Sequence, residues 1–245
     1  MEKQVSEPKG FRWSFSQWET YNQCPAKWKY KSVLKLPSSP PGPAAARGLS
    51  MHDRCEKYIM GEIDLETCLK GDHTRRFGSK GEAKIDPTYI PVLDRFKNHP
   101  NGDRYTEHRM GFDSEWYLSG GVSKTAACIG VLDAVRCEDG VLDIGEWKSG
   151  TPKETHGDQR KLYALFGLRK WLHVSEVRVT TYYMEGTADP QRLVVKPTAE
   201  QKLRDLWGGR TAQMQKDQIL APRPGEGCRW CDYSRNNGGP CQFGA

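Results

Sequence analysis

The segment VLDIGEWKSG, residues 141 to 150, places a carboxylate and an ammonium group two residues apart in an otherwise apolar run. Side chains alternate between the two faces of a strand, so Glu146 and Lys148 share a face with Leu142 and Ile144. A carboxylate can bind a cation, and a neighbouring lysine can orient a water or stabilise charge on a phosphate. The spacing therefore indicates a small reactive site. A partly buried structural ion pair is the alternative.

A second carboxylate precedes this strand in the segment GVLDAV. Asp133 shares its strand face with apolar side chains, and the turn sequence CEDG (137–140) predicts a hairpin that brings Asp133 beside Glu146. Two carboxylates held close together repel each other unless a cation lies between them. Hard divalent cations such as Mg²⁺ take oxygen ligands of this kind. The pair therefore predicts a divalent metal site.

Three of the eight cysteines lie near the C-terminal end in the segment CRWCDYSRNNGGPC. Cys228 and Cys231 form a Cys-x-x-Cys pair, Cys241 follows, and Cys24 in NQCPAKW is the natural fourth ligand. A metal or cluster held by all four would join distant parts of the chain by closing a very long loop. Zinc and iron–sulfur both fit such a set. The other four cysteines are expected to be small buried side chains: Cys55, Cys68, Cys128 and Cys137.

The composition places limits on the class of protein. Lys and Arg exceed Asp and Glu by 37 − 31 = 6, a mildly basic balance that is compatible with a polyanionic partner. No apolar run is long enough to span a bilayer, and MEKQVSEPKG lacks the hydrophobic core of a secretory signal. We therefore expect a cytoplasmic protein with no membrane partner. In a reducing compartment, eight cysteines favour metal ligation over disulfides.

The elements that must position these residues change character along the chain. Up to residue 104 the pattern favours helices and loops, with a helix after Ser14 or Ser16, a Pro-rich connection over 36–48 and a short helix over 49–61. From residue 105 the pattern becomes period-two. The later elements are expected in this order: strands over 105–112, 126–135 and 140–149, a helix over 158–172, strands over 176–184 and 191–196, and a helix over 198–219 weakened at Gly208-Gly209. This succession predicts an α/β fold with a mixed central sheet flanked by helices.

The motif GVLDAV…VLDIGEWKSG resembles that of the PD-(D/E)XK nucleases, and more closely that of their RecB-like branch. This branch includes AddB-type nuclease domains, CRISPR-associated RecB-like exonucleases and many phage exonucleases. Further likenesses follow in the family's order and extend the match to about half of the chain. These are SFSQWETYNQCPAKWKY with the N-terminal helix, GLSMHDRCE with the Gly-x-x-x-His helix, TEHRMGF with the Glu-bearing first strand, DQRKLYALF with the Gln-x-x-x-Tyr helix, and the tail with the cysteine cluster.

The resemblance implies a role for each matching residue at the strand pair. Asp133 and Glu146 would bind Mg²⁺ or Mn²⁺, with Lys148 as the catalytic lysine and His52 as an additional metal ligand. Glu107 would be a further acid on the metal side, although a solvent-facing strand carboxylate is the alternative. The RecB-like branch more often has Asp at the position of Glu146. The wider superfamily allows Glu there.

The same likeness implies roles for a helix and for the cysteines. Gln159 and Tyr163 lie four residues apart on one helix face, where both would line the catalytic cleft. A helix cap and a core tyrosine are the alternative. One N-terminal and three C-terminal cysteines would hold a [4Fe-4S] cluster that joins the two ends, with structural Zn²⁺ as the alternative. The ligands would be Cys24, Cys228, Cys231 and Cys241.

The function that the resemblance implies is that of a Mg²⁺- or Mn²⁺-dependent deoxyribonuclease. It would be an exonuclease that acts on single-stranded DNA or duplex ends in recombination, replication or repair, in the host cytoplasm if it is encoded by a phage. A CRISPR-adaptation exonuclease and a non-catalytic DNA-binding or scaffold subunit of a larger nuclease complex are alternatives. A homo-oligomer and a recombination partner protein both stay open.

The expected domain organisation is a single nuclease domain over 1–245 with a restriction-endonuclease-like PD-(D/E)XK core. Within it, 11–104 would form a helical part, 105–196 the catalytic α/β core, and 197–245 the C-terminal helix and cysteine tail.

Overall fold

The computed structural model describes residues 11–40, 42–70, 84–99, 105–119 and 125–244. These residues form two compact units. The terminal unit combines the described parts of Met1–Ser38, Arg109–Gly130 and Asp205–Ala245. The central unit combines the described parts of Ser39–His108 and Val131–Arg204. Of the helices and loops expected up to residue 104, those at 71–83 and 100–104 lie outside the described residues.

Four strands build a mixed sheet in the central unit. β3 (Cys128–Glu138), whose first residues belong to the terminal unit, is antiparallel to β4 (Val141–Lys148). β4 is parallel to β5 (Glu176–Tyr183), and β5 is antiparallel to β6 (Gln191–Val195). Parallel neighbours need a crossover connection, and α6 (Glu154–Lys170) supplies it between β4 and β5.

The β3–β4 hairpin turns at Asp139 and Gly140, whose φ angles are 49° and 74°. Two successive left-handed residues are the arrangement of a type I′ turn, whose twist matches that of the strands it joins. Glycine adopts this conformation freely, and aspartate tolerates it better than most residues. The turn fixes the register, in which Ala134 pairs with Gly145. The hairpin predicted at 137–140 is confirmed.

Helices cover both faces of this sheet. α6 packs against β4 and β5, on the face that carries Leu142 and Ile144. On the opposite face, Trp147 joins a core formed with α3 (Pro43–Met60), α4 (Leu65–Lys70) and α5 (Ile90–Lys97). The predicted α/β class, with a mixed sheet flanked by helices, is therefore confirmed.

The terminal unit is built around tryptophans. Ser14 ends the two-residue strand β1 and caps α1, because its hydroxyl accepts a hydrogen bond from the backbone N–H of Gln17. Trp207 is fully buried, with its ring centroid 5.6 Å from that of Trp13 and 5.1 Å from that of Trp18.

The remaining elements of the described chain, some of which extend into the central unit, are β1 (Trp13–Ser14), α1 (Phe15–Gln23), α2 (Pro25–Trp28), a π-helical segment (Lys29–Val33), β2 (Tyr105–Phe112), α7 (Glu200–Lys216) and short 3₁₀ turns at Pro87–Tyr89, Pro197–Ala199, Glu226–Trp230 and Arg235–Asn237.

Two helices differ from the sequence-based expectation. α3 begins at Pro43, inside the stretch predicted to be a non-helical connection, because proline is tolerated in the first turn and the alanines that follow favour helix. α7 continues through Gly208 and Gly209 without a break. The two glycines cost about 1 kcal/mol each relative to alanine, a cost that burial of Leu203, Trp207 and Met214 can offset.

Within the described ranges, no helix has both the length and the apolar character needed to cross a membrane. The cytoplasmic location and the single nuclease domain over 1–245 stay predictions.

Replacement of Gly167 by alanine should destabilise the protein. The added Cβ would lie 2.8 Å from Leu142 Cδ2, 3.0 Å from Val177 Cγ1 and 3.3 Å from Ile144 Cδ1, so α6 would be pushed away from the sheet. Overpacking of this kind costs about 1–3 kcal/mol. Gly157→Ala in the same helix is the matched control, because its Cβ would meet only the Arg160 guanidinium at 3.6 Å. Thermal unfolding should show a lower Tm for the first variant and an equal or higher Tm for the second. Equal effects would contradict the packing described here.

Candidate functional site

The β3–β4 pair brings two buried carboxylates together. The antiparallel register runs from Glu138–Val141 to Ala134–Gly145, and the next pair in this register is Asp133 with Glu146. Asp133 is 7% exposed and Glu146 is 3% exposed. The backbone N–H of Trp147 donates to Asp133 Oδ2 at 2.7 Å, so the strand itself holds the first carboxylate.

Three side chains surround Glu146. Lys148 Nζ donates to Glu146 Oε1 at 2.5 Å, and Gln159 Nε2 donates to the same oxygen at 2.8 Å. Gln159 Nε2 also donates to the hydroxyl of Tyr163 at 3.0 Å. Lys148, which shares a face of β4 with Glu146, and Gln159 on α6 therefore bind the same carboxylate. Tyr163, four residues after Gln159 on α6, contacts the Gln159 amide. The lysine side chain stays 23% exposed, which leaves it accessible from solvent.

Two further residues approach Asp133 from other elements of the central unit. His52 on α3 places Nδ1 3.3 Å from Asp133 Oδ1. His52, Glu107 and Asp133 each offer one ligand atom, and these atoms all lie within 4.8 Å of one another. Glu107 has a φ of 44° within β2, a left-handed conformation that is uncommon for glutamate. Such backbone strain clusters at functional sites.

The charges of the site shift each pKa in a definite direction. Burial favours a neutral imidazole, but the charge of Asp133 and the hydrogen bond to it outweigh burial and raise the pKa of His52 to about 9. Burial likewise opposes ionisation of Asp133, yet His52, Lys148 and the Trp147 N–H lower the pKa of that carboxyl below its ordinary value. For Glu146, burial and the charge of Asp133 prevail over Lys148 and His52 and raise the pKa to about 7.

The donor set fits a hard divalent cation. Glu146 Oε2 is buried and, among the residues that the structure describes, has no hydrogen-bond partner. A buried carboxylate oxygen without a partner is costly, and a cation would satisfy it. Carboxylate oxygens from Asp133 and Glu107 with one imidazole from His52 suit Mg²⁺ or Mn²⁺. Glu146 is not part of the three-residue group, and Lys148 and Gln159 bind its other oxygen, Oε1.

His156 is a residue of this region that the sequence analysis missed. It belongs to the face of α6 that carries Gln159 and Tyr163, and its Nδ1 accepts the backbone N–H of Lys153 at 3.3 Å. Nδ1 also lies 3.1 Å from the hydroxyl of Tyr183. Burial, then the charges of Lys148, Lys153 and Arg160, lower the pKa of His156 to about 4, so the imidazole is neutral near pH 7. His156 therefore fixes the first turn of α6. The spacing i, i+3, i+7 with Gln159 and Tyr163 is the signal that could have revealed it.

The four predicted cysteine ligands line one pocket of the terminal unit. All four are free thiols. Cys24 Sγ accepts a hydrogen bond from the backbone N–H of Arg223 at 3.4 Å. Tyr30 lines the same pocket as Cys24 and Cys241, and burial, followed by the charges of these two cysteines, raises the pKa of its phenol. The structure thus brings Cys24 together with the C-terminal cysteines Cys228, Cys231 and Cys241.

Comparisons with known proteins add a family relationship. Residues 12–236 match the family model of the PD-(D/E)XK nuclease superfamily. No curated protein matches the chain. Among solved structures, an exonuclease candidate from Eubacterium rectale is similar, with a TM-score of 0.44 and 14% identity over 97% of this chain and 94% of that one. The structure of SSO0001 is also similar, with a TM-score of 0.38 and 14% identity over 94% of this chain and 87% of that one.

Binding of Mn²⁺ at this site should release protons. At pH 8, below the raised pKa of His52 at about 9, the imidazole is protonated and must lose one proton to become a ligand. Below pH 7, Glu146 also becomes protonated, so the affinity should fall further as the pH is lowered. Isothermal titration calorimetry in buffers of different ionisation enthalpy would measure about one proton released per ion at pH 8.

The matched variant is His52→Ala, in which most of this proton release should disappear. A proton count of zero for the unchanged protein, together with an affinity that is constant from pH 6 to 9, would contradict the assignment of His52.

Proposed function

Because the chain belongs to the PD-(D/E)XK nuclease superfamily, we propose that it is a metal-dependent DNA nuclease of the RecB-like branch. The observation that carries this proposal is the convergence of Asp133, Glu146 and Lys148 on adjacent strands, with Glu146 Oε2 left without a partner among the described residues. Asp133, Glu107 and His52 are the proposed cation ligands, joined by the open oxygen of Glu146.

The side chains around the carboxylates have separable tasks in this proposal. A bound Mg²⁺ or Mn²⁺ would lower the pKa of a bound water and offset the negative charge of a phosphate. Lys148 supplies a positive charge beside Glu146, where it can stabilise charge that develops on the phosphate. Gln159 holds Glu146 through Oε1, which would leave Oε2 available to bind a cation.

Tyr163 acts as a hydrogen-bonding group rather than as a base. Burial and the charges of Glu146 and Asp133 raise the pKa of its phenol well above the ordinary value, so the hydroxyl keeps its proton at neutral pH. It accepts a hydrogen bond from Gln159 Nε2 and thereby fixes the amide that holds Glu146. In the proposed reaction, Tyr163 and Gln159 are positioning residues.

The substrate of the proposed enzyme is DNA, as single strands or duplex ends, which it would shorten as an exonuclease. Support comes from the surplus of six basic residues, which suits a polyanionic substrate. Phage-type recombination, replication or repair is the setting that we favour. A CRISPR-adaptation exonuclease and a non-catalytic DNA-binding subunit are the alternatives that activity assays would distinguish.

A [4Fe-4S] cluster held by Cys24, Cys228, Cys231 and Cys241 is the second part of the proposal. The backbone N–H of Arg223 directed at Cys24 Sγ is a contact that stabilises a thiolate ligand. Structural Zn²⁺ held by the same four sulfurs is the alternative, and the metal content of the protein distinguishes the two.

The proposed activity should depend on the carboxylates and on the lysine. The full chain, purified without oxygen, should degrade end-labelled single-stranded or duplex DNA with Mg²⁺ or Mn²⁺, and Lys148→Ala and Asp133→Ala should each lower the rate at least a hundredfold. Lys70→Ala is the matched control, because this lysine is 74% exposed and forms an ion pair with Glu66 on its own helix. Intact DNA under both metals, or equal loss in the control, would refute the proposed enzyme.

The proposed cluster predicts a spectrum and a metal content. The anaerobic protein should be brown and contain about four irons per chain, and Cys228→Ser should lose both features. Cys137→Ser is the matched control, because Cys137 is a partly buried thiol of β3 that does not line the cysteine pocket. One zinc per chain and no iron in the unchanged protein would overturn the cluster assignment in favour of Zn²⁺.

A further inference from the structure

Trp230 is exposed in a way that the other tryptophans are not. Six of the eight tryptophans are no more than 7% exposed, whereas the side chain of Trp230 is 86% exposed. Tryptophan is highly buried on average, because its ring removes a large apolar surface from water. Packing within the described part of the chain therefore does not account for this indole.

The backbone that carries Trp230 is held in place. Trp230 ends the 3₁₀ turn Glu226–Trp230, in which the Cys228 N–H donates to the Gly225 carbonyl at 2.9 Å. The amide of Asn237 donates to the carbonyls of Arg229 and Cys231, at 3.1 and 3.0 Å. These bonds pin the residues on both sides of the indole.

A pinned and exposed aromatic ring is suited to binding. Ordering the ring on binding costs little, because the backbone is already fixed and the side chain has only two rotatable bonds. Tryptophan and arginine are enriched among the residues that carry most of the binding energy at interfaces. The remaining question is the chemistry of the partner that covers the ring.

The residues around Trp230 favour a strand of nucleic acid. Arg229 precedes it, and Arg235 begins the turn whose Asn237 pins the Trp230 segment; both arginines are exposed. Glu226 and Asp232 balance the two positive charges, so the segment is not a purely electrostatic phosphate site. An exposed ring on a segment that also carries exposed arginines is typical of proteins that bind single strands through base stacking and backbone contacts. A protein interface would need a broader apolar centre.

We propose that the Trp230 indole is a stacking platform for one base of single-stranded DNA, with the Arg229 guanidinium on an adjoining phosphate. The inference rests on the proposed function, since it takes DNA as the substrate, and it adds a contact outside the carboxylate site. Trp230 is not among the side chains that surround Asp133 and Glu146. Its loss should therefore weaken DNA binding and raise KM while kcat changes little.

The test is fluorescence anisotropy of a labelled oligothymidine of about 20 nucleotides, longer than the site of one binding module. The full chain is used with EDTA, so that no cleavage occurs. Trp230→Ala should weaken binding about tenfold, and Trp230→Phe, which keeps a ring, should stay within about threefold of the unchanged protein. The slope of affinity against salt should not change in either variant, because the phosphate contacts remain.

Two controls separate stacking from a structural effect. Ile219→Ala removes an apolar side chain of the same unit that is 82% exposed, and it should leave DNA binding unchanged. Metal content per chain should be equal in Trp230→Ala and the unchanged protein, which shows that the neighbouring cysteines are intact.

The outcomes distinguish this inference from the proposed function. An unchanged protein that degrades DNA, with Trp230→Ala binding oligothymidine equally well, would overturn the stacking platform and leave the nuclease standing. A variant that binds DNA normally but has a smaller mass by light scattering would assign the indole to an interface between copies and also overturn it. An unchanged protein that neither binds nor degrades DNA would refute both.

Discussion

The repulsion between two buried carboxylates is the constraint on which the central unit depends. Asp133 and Glu146 are neighbours on adjacent strands, and burial increases the free-energy cost of the repulsion between their negative charges. His52 and the backbone N–H of Trp147 contact Asp133, and Lys148 contacts Glu146, so positive charge and a hydrogen bond offset this repulsion. These contacts do not satisfy the whole site, because one oxygen of Glu146 has no hydrogen-bond partner in the part of the chain that the structure describes. A site of this kind trades folding stability for the capacity to hold a cation.

The surrounding elements follow from the need to position that pair. The type I′ turn at Asp139 and Gly140 fixes the register that makes the carboxylates neighbours. α6 packs closely on the sheet at Gly167, and this packing places Gln159 within hydrogen-bonding distance of Glu146. Lys153 and His156 order the first turn of this helix through a hydrogen bond between them. The chemistry and the packing therefore use the same two strands and the same helix.

Local pattern predicted much of this arrangement and failed where long-range packing decides. The alternation along β4 placed Glu146 and Lys148 on one face, and the turn residues predicted the hairpin, because both are short-range effects of backbone geometry. The predicted helix start at residue 49 was wrong, because α3 begins at Pro43. A proline-rich run has the pattern of a connection, and most of the stability of a helix in a protein comes from tertiary packing. Nothing in the sequence signals the left-handed backbone at Glu107.

The sequence by itself determined which side chains are available and which of them share an element. It paired Glu146 with Lys148 through a period of two and Gln159 with Tyr163 through a spacing of four, because these periods are properties of the isolated strand and helix. Only the tertiary structure decided that His52 faces Asp133. Tertiary structure likewise gathered the distant cysteines around one pocket. The reason is that contacts between residues far apart along the chain depend on how whole elements pack, and local propensity does not encode that packing.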